Sequence, residues 1–212
     1  DARGQPGDPR AQARSGDEFL VNTGVSNDQT DVDVASQPGG GFVATWHTYY
    51  DGTSYNQIMA QRFDAAGNKL GAELTVNTST GFEGQNQYEQ SIASFADGSF
   101  VIAWRADGAQ DGNLSGVFAQ RFASDGSRLG SEFQVNTYTD SYQYQPDVAV
   151  LTDGGFVVTW TSYTQDGSGT SGVFAQRYNA DGSLNGAEFR VNTDPAGTQD
   201  QPSAAALSDG GF

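Results

Sequence analysis

The chain has 212 residues, 36 % of them hydrophobic and 12 % aromatic, with 28 glycines and no cysteine. Ten basic residues against 26 acidic ones leave a net charge of −16, which repels phosphate backbones and anionic membrane surfaces, so nucleic acid is not an expected partner. The missing cysteine removes disulfides, thiolate metal sites and a cysteine nucleophile, and no apolar run is long enough to cross a bilayer, so membrane insertion is not expected either.

Residues 1–16, DARGQPGDPRAQARSG, lack an apolar segment and read as a flexible leader or linker. From residue 17 onward the chain repeats itself. Val-Asn-Thr recurs at 21–23, 76–78, 135–137 and 191–193, at spacings of 55, 59 and 56 residues. Ala-Gln-Arg plus an aromatic recurs at 60–63, 119–122 and 175–178, and Trp46, Trp104 and Trp160 share one position. Each unit holds four strand candidates. In the third copy they are Asp147–Leu151, Phe156–Thr161, Val173–Tyr178 and Glu188–Asn192, joined by tight turns at Asp153-Gly154 and Asp181-Gly182. Four antiparallel strands per unit of about 56 residues predict an all-β fold, a partial β-propeller of four-stranded antiparallel blades.

The expected division is an outer strand at 17–23, full blades at 24–78, 79–137 and 138–193, and a partial blade at 194–212. The array opens with a fourth strand and stops inside a second. The expectation is therefore a fragment, or a ring completed by missing blades or by another chain.

In such a blade the first-to-second and third-to-fourth turns share one face. They are short and uniform here. The second-to-third loops and the connections between blades share the other face, and they are long and variable. Eight of the nine tyrosines fall in the long loops. Tyr offers a flat apolar ring and a polar tip, so Tyr49, Tyr50, Tyr55, Tyr138, Tyr142, Tyr144 and Tyr163 are the candidate ligand-binding residues, with Tyr88 in the same set of loops. A polysaccharide or surface polymer is the ligand this composition suits.

Twenty of the 26 acids are Asp. Asp51, Asp107, Asp111, Asn113 and Asp166, in Asp-Gly loops, are the candidate Ca²⁺ ligands, Asp107, Asp111 and Asn113 forming part of one site. No loop carries the full DxDxDG spacing, and Asp-Gly is also ordinary turn chemistry. Arg62, Arg121 and Arg177 each precede a glutamate (Glu73, Glu132, Glu188) by eleven residues, a constant interval that predicts a cross-strand ion pair in every blade. The three tryptophans read as blade core. His47, the only histidine, reads as a solvent-facing loop residue.

The run FVVTWTSYTQDGSGTSGVFAQRYNADGSLNGAEFRVNT (156–193) resembles the repeats of large secreted bacterial proteins that often carry RTX-type (haemolysin-type) calcium-binding repeats. The resemblance covers residues 17–212 and implies a secreted or cell-surface location with calcium nearby. The GGxGxD nonapeptide is absent, so its calcium ligands do not carry over. With no nucleophile elbow and no marked pair of carboxylates, the expected function is a non-enzymatic binding or adhesion module, calcium-stabilised and carbohydrate-binding. The alternatives are a structural component assembling through open blade edges and a fragment of a polysaccharide-degrading propeller enzyme.

Overall fold

The computed structural model describes residues 18–24, 28–49, 56–78, 86–108, 110–167 and 169–212. Among them are twelve strands in three four-stranded antiparallel sheets. The first blade is β1 (Gln29–Ser36), β2 (Phe42–Tyr49), β3 (Asn56–Phe63) and β4 (Lys69–Thr75). The second is β5 (Gln87–Ser94), β6 (Phe100–Asp107), β7 (Ser115–Phe122) and β8 (Arg128–Gln134). The third is β9 (Gln143–Val150), β10 (Phe156–Tyr163), β11 (Ser171–Tyr178) and β12 (Phe189–Arg190). In each sheet the spatial order equals the chain order, and the first strands of successive blades pack against each other. The chain is thus a partial β-propeller with β1, β5 and β9 innermost.

Residues 18–23 contain no strand, yet they lie against the first blade, where Phe19 packs on Phe42 and Phe63. The third blade's first strand begins four residues earlier than predicted, at Gln143, and its fourth shrinks to Phe189–Arg190. Residues 203–207 form no strand ladder. They still lie along β9, with the Ala204 amide donating to Asp147 Oδ2 at 2.6 Å.

A blade has two faces to cover, and the cores form between blades rather than within them. One joins Val43, Ile58 and Val76 of the first blade to Phe100, Ile102, Trp104 and Phe122 of the second. The next joins Val101, Val117 and Val135 of the second to Phe156, Val158, Trp160 and Tyr178 of the third. Trp104 and Trp160 are fully buried there. Burying one such ring is worth roughly 1.5–3 kcal/mol. At the same position in every blade an aromatic pair stacks across β-strands two and three: Phe42 on Phe63 at 4.6 Å, Phe100 on Phe122 at 5.0 Å and Phe156 on Tyr178 at 4.6 Å.

The repeated polar residues tie the blades together, though not as predicted. The expected Arg–Glu ion pairs do not form. The register of β3 on β4 shifts between Ala60 and Arg62, pairing Ala60 with Leu74 but Arg62 with Leu70. Glu73, next to Leu74, therefore emerges on the sheet face opposite Arg62. β7 on β8 repeats the shift between Ala119 and Arg121. Two of the arginines reach forward: Arg62 Nη1 donates to the Ser124 carbonyl at 2.6 Å, and Arg121 donates to the carbonyls of Ala180 and Asp181, whereas Arg177 lies 3.5 Å from Asp153 of its own blade. Each glutamate reaches back. Glu132 Oε2 accepts from the Thr78 amide at 2.6 Å and its hydroxyl at 2.9 Å, Glu188 Oε2 does the same for Thr137 at 2.7 and 3.0 Å, and Glu73 accepts from the Thr23 amide. In the last three Val-Asn-Thr copies the Asn works inside its own blade, accepting from the amide of Ile58, Val117 or Val173.

The Asp excess is partly turn chemistry. Asp97, Asp125 and Asp181 accept from the side chain and amide of the serine two residues on, which holds their carboxyls below the usual range. In a double-mutant cycle followed by urea unfolding, Arg121→Ala and Glu132→Ala should each lower stability by about 1–2 kcal/mol. Their effects should add within about 0.5 kcal/mol; a coupling well above that would restore the direct ion pair.

Candidate functional site

The long-loop ends of the innermost strands form a rim, and each blade carries a β-bulge there. At the equivalent position of each repeat a non-glycine residue sits in the left-handed region: Asp31 (φ 56°), Glu89 (55°), Gln145 (53°) and Gln201 (54°). Such backbone costs on the order of 1–3 kcal/mol and concentrates at functional sites.

Beside these lies the residue after each tryptophan. In the second blade it is Arg105, on β6. Its Nε donates to Asp107 Oδ1 at 2.8 Å, and its Nη1 lies 3.4 Å from Glu89 Oε1. The guanidinium stands 4.9 Å from the Tyr88 ring centre and 5.8 Å from that of Tyr144. Burial opposes its charge, but Asp107, Glu89 and Tyr88 outweigh that and hold the cation more firmly than usual. Tyr88 donates its hydroxyl to Asp107. Burial first, and then that bond to a carboxylate, push its phenol above the ordinary range.

In the first blade the same place is taken by His47, on β2. It is 7 % exposed, so it is not the solvent-facing loop residue expected. Its Nε2 lies 2.8 Å from Thr30 Oγ1, its Nδ1 3.4 Å from Gln90 Oε1 of the second blade and 3.7 Å from Asp31 Oδ2. Its ring faces Tyr88 at 6.2 Å. Asp31, His47, Tyr88, Arg105 and Tyr144 thus run along the rim across three blades.

The structure brings together three of the predicted tyrosines. Tyr142, Tyr144 and Tyr163 line a cleft of about 440 Å³ with Arg105. Tyr144 is on β9, its hydroxyl 2.9 Å from Ser171 Oγ. Tyr163 ends β10 and Tyr49 ends β2, so both belong to strands rather than loops, as does Tyr88. Tyr49 is exposed and stands apart from the cleft. Tyr138 lies 3.4 Å from Thr164 through its hydroxyl. Tyr50, Asp51 and Tyr55 lie outside the described residues.

The expected calcium ligands are divided. Asp107 is taken by Arg105 and Tyr88. Asp111 accepts from the Asn113 amide at 3.1 Å and from Asn136 Nδ2 at 3.4 Å. Asp166, with its side chain buried, lies 3.8 Å from Arg190. Among the described residues no three of His, Asp and Glu are grouped to hold a metal ion. Of the residues expected to share one site, Asp107 ends β6 and faces Arg105 and Tyr88, while Asp111 lies with Asn113 and Asn136 in the loop beyond it.

Sequence reasoning missed Asp31, His47, Glu89 and Arg105. The signal was present: inside an otherwise constant repeat, the residue after each tryptophan changes from His to Arg to Thr, and the bulge residue from Asp to Glu to Gln.

Tyr88 and Tyr178 both have phenols raised in the fold, Tyr178 by burial and then by Glu188. A raised pKa adds stability in full below the unfolded value near 10 and loses it as pH climbs through the folded value. Urea midpoints should therefore fall from about pH 10 upward, and Tyr88→Phe should flatten part of that fall. A midpoint unchanged up to pH 11 would contradict these environments.

No family model matches this sequence, and no curated protein matches it. Solved structures do share its fold. A protein of unknown function from Dyadobacter fermentans superposes with a TM-score of 0.57 at 8 % identity, over 80 % of this chain and 56 % of its own. An α-L-arabinofuranosidase from Fusarium graminearum gives 0.54 at 12 % identity, over 76 % and 49 %. A thermostable family-43 glycoside hydrolase gives 0.53 at 15 % identity, over 86 % and 63 %. This chain thus spans between about half and five-eighths of the proteins it matches. The likeness is one of fold. It corrects the expectation that the chain is not an enzyme, because the architecture that suggested a bare binding module is one on which glycoside hydrolases are built.

Proposed function

We propose that this chain supplies blades to a carbohydrate-processing propeller enzyme and holds a saccharide on the rim of its long-loop face. The cleft of Arg105, Tyr142, Tyr144 and Tyr163 carries this reading. Tyrosine rings give a sugar flat apolar surfaces, and their hydroxyls, with the carboxylates of the rim, give it hydrogen-bond partners. The glycoside hydrolases of the same fold support the substrate class. An extracellular site of action, implied by the resemblance of the repeat, belongs to the same proposal.

The ring is completed by further blades, in this chain or another. Val32 and Val34 on β1 are 64 % and 52 % exposed, and their sheet face is the one that would meet a preceding blade. In the second and third blades the matching face is covered by the blade before it.

Titration calorimetry with linear arabino- and xylo-oligosaccharides tests the reading. Tyr144→Ala should weaken binding about tenfold, equivalent to about 1.4 kcal/mol, and leave the urea midpoint within about 1 kcal/mol of the parent. Undiminished binding in Tyr144→Ala and Tyr163→Ala together would remove the cleft from the function.

A further inference from the structure

The four bulge residues of the rim are not equivalent. Glu89 Oε2 accepts the Gln145 amide at 2.7 Å, and Gln145 Oε1 accepts the Gln201 amide at 3.1 Å. Each bulge side chain thus reaches the amide of the next bulge, and the strained positions are linked blade to blade. By the same rule the residue at 31 would accept the Glu89 amide. Asp31 is one methylene too short and makes no such bond. Among the described residues its carboxylate faces His47 Nδ1 at 3.7 Å, and its side chain is 67 % exposed. Glu89, in contrast, has both oxygens engaged, one by the Gln145 amide and one facing Arg105.

We infer that Asp31 is the ligand-contacting carboxylate of the rim, kept out of the blade-to-blade linkage by its length, and that it takes hydroxyl groups of a neutral saccharide. The inference rests on the carbohydrate reading above. A carboxylate is an acceptor with about four lone-pair sites and needs donors, which vicinal sugar hydroxyls are. A uronate would meet an acidic rim on which Arg105 is already matched by Asp107 and Glu89, on a chain of net charge −16. His47, fixed by Thr30 and Gln90, sets the side on which Asp31 stays open.

Asp31→Glu tests this on the full chain. The longer side chain should reach the Glu89 amide, as Glu89 reaches Gln145, and close the free carboxylate. The expected result is a urea midpoint equal to or above the parent's, with affinity for the arabino- or xylo-oligosaccharide lowered at least about tenfold. Asp31→Asn, of equal length, should also weaken binding and leave the midpoint unchanged. If both variants bind as the parent does while Tyr144→Ala does not, Asp31 is excluded and the carbohydrate reading stands. If the parent binds neither oligosaccharide, the reading and this inference fall together. Tighter binding of a galacturonate oligosaccharide than of the neutral ones would overturn the substrate class alone.

Discussion

A four-stranded antiparallel sheet of this composition presents apolar residues on both faces and can cover neither by itself. Everything else in the structure answers that constraint. Trp104 and Trp160 are buried because a neighbouring blade lies over them, and the cores are contacts between repeats. Trp46 belongs to a smaller cluster with Phe42, Phe63 and Val21, covered among the described residues by the segment 19–22. Burial of this kind fixes distance but not register. The Arg that reaches forward and the Glu that reaches back supply the register, each using a charged group on backbone partners of the adjoining repeat.

This division of labour explains where variation is free. The short-turn face is filled with invariant contacts, Arg62 against Ser124 and Arg121 against Ala180 and Asp181. The opposite rim carries the bulges, and there the side chains differ from blade to blade. His47, Arg105 and Thr161 occupy one position and Asp31, Glu89, Gln145 and Gln201 another. A repeat that keeps its backbone and changes its side chains at one end leaves that end free of the architecture's constraints.

Much of this was legible in the sequence. The period, the four strands per unit, the tryptophan core and the opposition of short and long loops follow from spacing and turn chemistry alone. What stayed hidden has a common physical cause. The interval of eleven from Arg121 to Glu132 is constant, but Arg121 pairs with Leu129, and Glu132, an odd three residues further on, points to the opposite face, a register that the spacing alone does not reveal. The bulges of the innermost strands likewise follow no glycine: four non-glycine residues adopt left-handed backbone because the neighbouring blades hold them there. Tyr88, Tyr144 and Tyr163 read as loop residues in the sequence because the strands extend further toward the rim than their apolar alternation does.

The central claim is that the constant residues join one blade to the next, leaving the rim for function. Native-state hydrogen exchange tests it most directly. The amides of Ile92, Thr78 and Thr137 donate to side chains of an adjoining blade, Asp33, Glu132 and Glu188 respectively. They should exchange at the slow rate of the β6 and β10 ladder amides and speed up together when Glu132 and Glu188 are replaced by alanine. Exchange of these amides at the rate of exposed loops in the parent protein would contradict the account.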